Sequence, residues 1–393
     1  MVYNGKPTRE WLSREDSASP TVSLESLMLT AIIDAMEGRD VMTCGIPNAF
    51  IQAAAPVTEN GERIVMKITG VLVKPLVDLN PELHGPHVVT ENGKNVLYVE
   101  VLKALYGMLQ AALQWHIEFR AELEKKDFEF NPCDPCVANR MVDGKQQTIR
   151  FHVDDVMSSH MDPTVNDHFL KWLNKKCGDC GEVKATRGKK HDYLGMVFDF
   201  SEPGKVKIDM SDYMHGMVDD FPVDLGNRMA PTPAANDLFE IDESEPAAKQ
   251  EKETFHTHVA KALFARKRAR PDTHTATAFL CRRAQKPNKK DWNKLIRLME
   301  FLNGTKDDVL ILSADDLHVL KWHIDASFAM HPDFKSHTGG LFTYGTGAAI
   351  TTPRKQKLST RSSTEAELVA TDDMVTMVLW TKLFLEAQGI EVK

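Results

Sequence analysis

The run Ile149-Arg150-Phe151-His152-Val153-Asp154-Asp155-Val156 constrains this chain more than any other stretch, because it must deliver two adjacent carboxylates to the end of a strand. Period-two alternation sets Ile149, Phe151 and Val153 on one face and Arg150, His152 and Asp154 on the other, the pattern of a half-buried strand leading into a hairpin tip. A core side and a chemical side are therefore expected to separate. Neighbouring aspartates repel, so keeping both ionised calls for a cation or hydrogen-bond donors nearby, and hard oxygen ligands of this kind suit Mg2+. A simple Asp-Asp turn, favoured by local hydrogen bonding, is the plainer alternative.

The chain has 393 residues, 42% of them hydrophobic, which leaves room for two or three domains. No apolar run approaches the roughly 18 residues of a membrane span, and Met1-Val2-Tyr3-Asn4-Gly5-Lys6 lacks the apolar core of a signal peptide. An intracellular protein, cytoplasmic or nuclear and with no membrane partner, is the expectation.

The net charge of −8 argues weakly against a polyanionic partner, but the local distribution matters more. Between Lys261 and Arg297 stand twelve Lys and Arg, including Arg266, Lys267, Arg268, Arg270, Arg282 and Arg283, against Asp272 and Asp291, a local charge of +10. Upstream, Asp237, Glu240, Asp242, Glu243 and Glu245 with Pro231, Pro233 and Pro246 read as an acidic linker. An excess this one-sided favours a phosphate-binding surface over an ordinary solvated helix face.

Four of six cysteines form two pairs, Cys133-Asp134-Pro135-Cys136 and Cys177-Gly178-Asp179-Cys180. Two such pairs can close a tetrahedral zinc site, although the segment between them contains the whole carboxylate hairpin. Reduced, unligated cysteines of an intracellular protein are the stronger expectation.

Periodicity predicts a helix capped by Ser23 and ended by Gly38, a strand over Asp40-Val41-Met42-Thr43-Cys44 broken by Pro47, and a strand at Val96-Leu97-Tyr98-Val99. Helices are expected from about Leu102 to Leu123, from Asp291 to Leu302, and from Thr364 to about Gln388, where Gly389 ends the last. Leu320–Asp325 alternates as a strand, and Gly339-Gly340 is expected to form a turn. Irregular alternation of strands and helices points to an α+β architecture.

Several ordered motifs resemble one family, the Ty1/copia-type retrotransposon reverse transcriptase with the start of its ribonuclease H domain. Gly45-Ile46-Pro47-Asn48-Ala49-Phe50-Ile51-Gln52 resembles its first palm motif. Lys103-Ala104-Leu105-Tyr106-Gly107-Met108-Leu109-Gln110-Ala111, with Gln114-Trp115, resembles its Ser-Leu-Tyr-Gly-Leu-Lys-Gln-Ala helix, and Phe151-His152-Val153-Asp154-Asp155 its Tyr-Val-Asp-Asp hairpin. Tyr193-Leu194-Gly195-Met196, Arg270-Pro271-Asp272, Asn303-Gly304-Thr305-Lys306, Asp325-Ala326-Ser327, His337-Thr338-Gly339-Gly340 and Ser362-Ser363-Thr364-Glu365-Ala366-Glu367 follow in the family's order.

The resemblance implies a right-hand polymerase: fingers and palm over residues 1–235, an acidic linker and basic helical thumb or connection over 236–316, and a partial ribonuclease H-like α/β domain over 317–393. It implies an RNA-directed DNA polymerase using two Mg2+ (or Mn2+) ions to join a nucleotide to a primer on an RNA or DNA template. Asp154 and Asp155 would ligate metal. Gln110 would line the nucleotide site, while Phe151 and His152 would flank the primer end. Asp325 and Glu367 match two ribonuclease H positions, and Asp372-Asp373 is expected to face solvent. The basic residues above would hold the nucleic-acid backbone.

This copy departs from the pattern at one decisive place. The residue five before the motif phenylalanine is aspartate in the family and Gly45 here, so the carboxylate shared by both ions is lost. Asp40 lies five residues from Gly45, about 16 Å along a strand, and cannot replace it. The basic fingers strand expected upstream of Tyr3 and the ribonuclease H strand expected after Lys393 are also missing, which predicts a degenerate, truncated copy with a marginally folded terminal domain. The competing expectations are a non-catalytic nucleic-acid-binding remnant and, more remotely, a zinc module. Oligomeric state is not legible.

Overall fold

The computed structural model describes all residues except 1–3, 11, 58–60, 62, 242 and 243. Asp242 and Glu243 of the acidic stretch, and the segment ending at Tyr3, lie outside the described residues.

Ser23 caps the helix Leu24–Glu37 by accepting from the Ser26 N–H, and Gly38 ends it in the left-handed conformation at φ 67°. Residues 26 through 35 of this helix are all buried, as suits a helix packed on more than one side. One neighbour is a six-stranded antiparallel sheet in the order Glu129–Phe130, Val137–Val142, Lys145–His152, Asp155–His160, Asp40–Gly45, Ala185–Thr186. Another is a five-stranded sheet ordered Lys190–Tyr193, Met196–Asp199, Lys205–Asp209, Leu310–Ala314, Gly345–Thr346. A smaller sheet, in which Lys94–Glu100 lies between Val65–Thr69 and Val88–Glu91, has its own small core of Ile68, Val73 and Leu97. A helical layer made of Ser211–Asp219, Lys249–Arg266, His274–Arg283 and Lys289–Gly304 encloses a separate apolar cluster that includes Phe255, Leu280, Leu295 and Leu298.

The C-terminal strands Lys321–Ser327 and His337–Thr343 carry the 25-residue helix Ser363–Ala387 on one face. Contrary to the expectation of a marginal terminal domain, this unit is joined to the body. Phe342, Tyr344, Phe384, Leu385 and Ile390 belong to the main core, Asn131 donates to the Phe384 carbonyl at 3.0 Å, and Trp380 Nε1 donates to the Cys133 carbonyl at 3.3 Å. The strand pair Leu310–Ala314 and Gly345–Thr346 also runs across the expected boundary at 316/317.

Two local expectations fail for identifiable reasons. The helix expected from Leu102 begins only at Ala111, because Ala55 and Ala104 exchange main-chain bonds with Leu102 and Ala53 and Gly107 adopts φ 98°. Gly339 and Gly340 lie inside a strand, not a turn. A Cβ at Gly340 would stand 2.4 Å from Met374 Cε, so this glycine lets the long helix approach the strand closely.

Candidate functional site

The two aspartates lie at a hairpin tip, but the strand ends at His152 and does not carry its alternation through Val153 and Asp154. Lys145–His152 and Asp155–His160 pair with His152 opposite Asp155, leaving Val153 and Asp154 as a two-residue turn. Val153 adopts φ 58°, a conformation that costs a β-branched residue about 1–3 kcal/mol. Three elements hold the strained tip: Trp115 Nε1 donates to the Val153 carbonyl at 2.7 Å, the Ile46 N–H to that of Asp154 at 2.9 Å, and the Tyr193 hydroxyl to that of Asp155 at 3.1 Å. Trp115 and Tyr193 are legible in the motifs as residues but not as clamps, since the carbonyls they bind are distant in sequence.

Asp40–Gly45 runs antiparallel to the second hairpin strand and sets Gly45 directly opposite Asp155. A Cβ built at residue 45 would meet one neighbour within 4 Å, Asp155 Oδ1 at 3.7 Å, which is ordinary van der Waals contact. Gly45 does not have a positive φ, so its backbone makes no demand for glycine. A third carboxylate would therefore enter the centre at this position without steric cost. Asp40 sits at the other end of the strand, opposite His160, and its carboxylate is taken by Arg187 at 2.7 Å and Asn166 at 2.8 Å.

Burial, and after it the charges of the two aspartates, shift the groups around the tip. Loss of solvation on its sheet-facing side, and then the Asp154 charge, raise the Asp155 carboxyl above the usual aspartate range, although the residue is exposed overall. Burial first and Asp154 second raise the Tyr106 phenol, whose ring lies 4.6 Å from that of Phe50. Cys44, behind the site, is pushed up to about 12, chiefly by burial and next by Asp155.

The expected split between a core face and a chemical face does not hold. Arg150 is fully buried and donates to Asp34 at 2.7 Å and Ser159 at 2.8 Å, because the Leu24–Glu37 helix covers that face of the strand. Phe151, expected beside a primer end, is 1% exposed and packs edge-on against Phe119 with centroids 5.1 Å apart. It has no surface to offer a nucleic acid. His152 and Gln110 are half-buried, and Gln110 immediately precedes the Ala111–Glu124 helix.

The basic segment is partly neutralised by carboxylates of the same chain, at Lys261, Arg270, Arg283, Lys289 and Lys290. Arg270 is 2% exposed and binds Asp272 and the Thr305 carbonyl; Arg283 pairs with Asp291 at 2.9 Å and Lys289 with Glu251 at 2.9 Å. The acidic stretch is not a free linker, since Glu240 pairs with Lys290 at 2.8 Å and the Leu238 and Glu240 carbonyls accept from Lys294. Lys267 and Arg282 remain exposed, and Arg266 and Arg268 are half-buried.

In the C-terminal unit Asp325 is exposed opposite Gly339, and Glu367 Oε1 accepts from the Ala326 N–H at 3.2 Å, so the two acids share one neighbourhood. Asp372 faces solvent. Asp373 does not, because it accepts from Thr338 at 2.8 Å. Among the described residues no three His, Cys, Asp or Glu side chains are grouped to hold a metal ion. The four cysteines expected as a remote zinc alternative are free thiols; burial pushes Cys177 up to about 11 and raises Cys136 further.

No protein-family model matches the chain. Over all of its length it is 26% identical to the retrovirus-related Pol polyprotein from transposon TNT 1-94 of Nicotiana tabacum, spanning 28% of that protein. It is 24% identical to the corresponding polyprotein from transposon RE2 of Arabidopsis thaliana, spanning 25% of it. The transposon Ty1-NL2 Gag-Pol polyprotein of Saccharomyces cerevisiae is 23% identical over 77% of this chain and 18% of the yeast protein. The chain's relatives are Ty1/copia-type Pol polyproteins. It spans about a quarter of the plant relatives' length. Among solved structures, a prototype foamy virus protease-reverse transcriptase aligns with 92% of this chain and 39% of its own at 13% identity, with a TM-score of 0.24. A superposition that loose supports no conclusion. Among the described residues no helix is long and apolar enough to cross a membrane.

Proposed function

We propose that this chain is the reverse transcriptase region of a Ty1/copia-type Pol polyprotein whose polymerase centre keeps its hairpin but has lost the carboxylate facing it. The observation that carries this reading is the register that sets Gly45 opposite Asp155, with space for a side chain and no backbone need for glycine. In this reading the six-stranded sheet is the palm and the Val65–Glu100 unit belongs to the fingers. The helices from Ser211 to Gly304 form the thumb or connection, and the C-terminal unit, with Asp325 and Glu367, is ribonuclease H-like.

A divalent ion, Mg2+ or Mn2+, at Asp154 and Asp155 would relieve their mutual repulsion. Two ions sharing a ligand need a third carboxylate, and the described residues do not supply one, so no nucleotidyl-transfer step is assigned to this chain. What remains is a nucleic-acid-binding body with an RNA or DNA primer–template as partner and no productive use of a deoxynucleotide.

Fluorescence anisotropy with a labelled primer–template, and extension products read from the same mixture, test the proposal. Binding that weakens steeply with salt and yields no extension is the expected result. Efficient extension by the unaltered chain overturns it, as does the absence of binding at low salt.

A further inference from the structure

Lys261, Arg270, Arg283, Lys289 and Lys290 each pair with a carboxylate, whereas among the described residues the three consecutive cations Arg266, Lys267 and Arg268 do not. Arg266 donates Nη1 to the His274 carbonyl at 3.1 Å, and its Nε is shut from solvent with no acceptor. Arg268 donates only to the main-chain carbonyls of Leu194 and Phe264 and lies over the Phe264 ring, with 3.6 Å to the centroid. Lys267 between them is exposed. All three line one partly open cavity of about 280 Å3, whose other walls include Leu24, Met28 and the segment from Ala348 into the strand Ile350–Thr351.

The charge on that wall is nearly one-sided. Glu25 is the sole carboxylate residue among the described residues of the lining, and no ion pair joins it to the three cations. His274, also on the wall, bonds Thr351 Oγ1 at 2.6 Å and is pushed down to about 3, first by burial and then by the nearby charges of Arg266 and Lys267. Two arginines and a lysine lining one partly enclosed space without a carboxylate partner among the described residues suit a multivalent oxyanion, which guanidinium and ammonium groups bind through charge-assisted hydrogen bonds.

We propose that the cavity bounded by Arg266, Lys267, Arg268 and the start of the Leu24–Glu37 helix is a phosphate-binding site. Its ligand is either an internucleotide phosphate of a bound strand or a free phosphate-bearing small molecule. The first source rests on the nucleic-acid reading above, and the second is independent of it.

Lys267→Glu reverses an exposed charge on the wall, Arg266→Gln removes a deeper one, and Lys145→Glu makes the same charge change at the far end of the carboxylate hairpin; circular dichroism checks that each folds. Inorganic phosphate is expected to raise the melting temperature of the unaltered chain and of Lys145→Glu more than that of Lys267→Glu or Arg266→Gln. An equal shift in all four, or none in any, overturns the site. Anisotropy with the primer–template duplex then separates the sources. A salt slope smaller by about one for Lys267→Glu than for Lys145→Glu assigns the site to an internucleotide phosphate. Equal slopes with a selective phosphate shift assign it to a free phosphate compound. Absence of duplex binding by every variant overturns the nucleic-acid reading and leaves the phosphate result standing.

Discussion

The same hairpin carries two charged groups with opposite tolerances. At its tip, Asp154 and Asp155 meet water and face an empty position at Gly45. Beneath the strands, Arg150, Asp34 and Ser159 form a fully buried network, with Ser159 donating to Asp34 at 2.6 Å and Arg39 3.7 Å from the same carboxylate. Removing a member of the buried group strands a charge in the interior, whereas removing a carboxylate from the tip relieves repulsion. The tip's geometry is set by main-chain register and by clamps on carbonyls, none of which depend on the side chain at residue 45. The fold around the tip is therefore expected to be the same with or without a side chain at residue 45.

The sharpest way to break the comparison is Asp34→Ala, which leaves Arg150 uncompensated and is expected to cost about 3–5 kcal/mol in urea unfolding. A cost below about 1 kcal/mol would show that the buried group is no more structural than the tip. Trp115→Phe removes one clamp on the strained turn, and a loss of about 1–2 kcal/mol is expected from the unpaired Val153 carbonyl.

Asp155→Asn should go the other way. A carboxyl whose folded value is raised contributes stability below its unfolded value and loses it as pH rises through the folded one, so the substitution raises the melting temperature at neutral pH. The gain should fade as pH falls below the ordinary aspartate range. A melting temperature that drops at neutral pH would mean that Asp155 is held by favourable contacts. Gly45→Asp, the smallest effect, should change stability by about 0.5 kcal/mol or less with Mg2+ present, and should be less stable without it because three carboxylates then share the tip. Indifference to Mg2+ would place the new side chain away from Asp154 and Asp155.

Much of this was legible in the sequence where the signal is local. Ser23 and Gly38 bound their helix, a hairpin brings the two aspartates to its tip, although it turns one residue earlier than an Asp-Asp turn would, and the strand at Asp40 ends where Pro47 approaches. Position 45 could be picked out because its motif is short and its neighbours are intact. The failures involve partners that are remote in the chain. Arg150 and Phe151 alternate as expected, yet both are buried because a helix more than a hundred residues earlier and the Ala111–Glu124 helix cover the two faces. The acidic stretch resembles a linker until Lys290 and Lys294 are seen to bind it, and that pairing takes two cations out of the basic surface that a charge count suggests. Gly339-Gly340 has turn composition, but Met374, packed against Gly340 from another element, explains the missing side chain there; nothing in the structure requires glycine at 339.

In the proposed reading the carboxylate absent at position 45 is what stops nucleotidyl transfer at the hairpin, and restoring it brings extension back if the rest of the centre is intact. Primer extension on an RNA template with Mg2+ or Mn2+, comparing the unaltered chain with Gly45→Asp under matched binding, tests it most directly. The account predicts extension by Gly45→Asp and essentially none by the unaltered chain. Equal extension by the two proteins would contradict it.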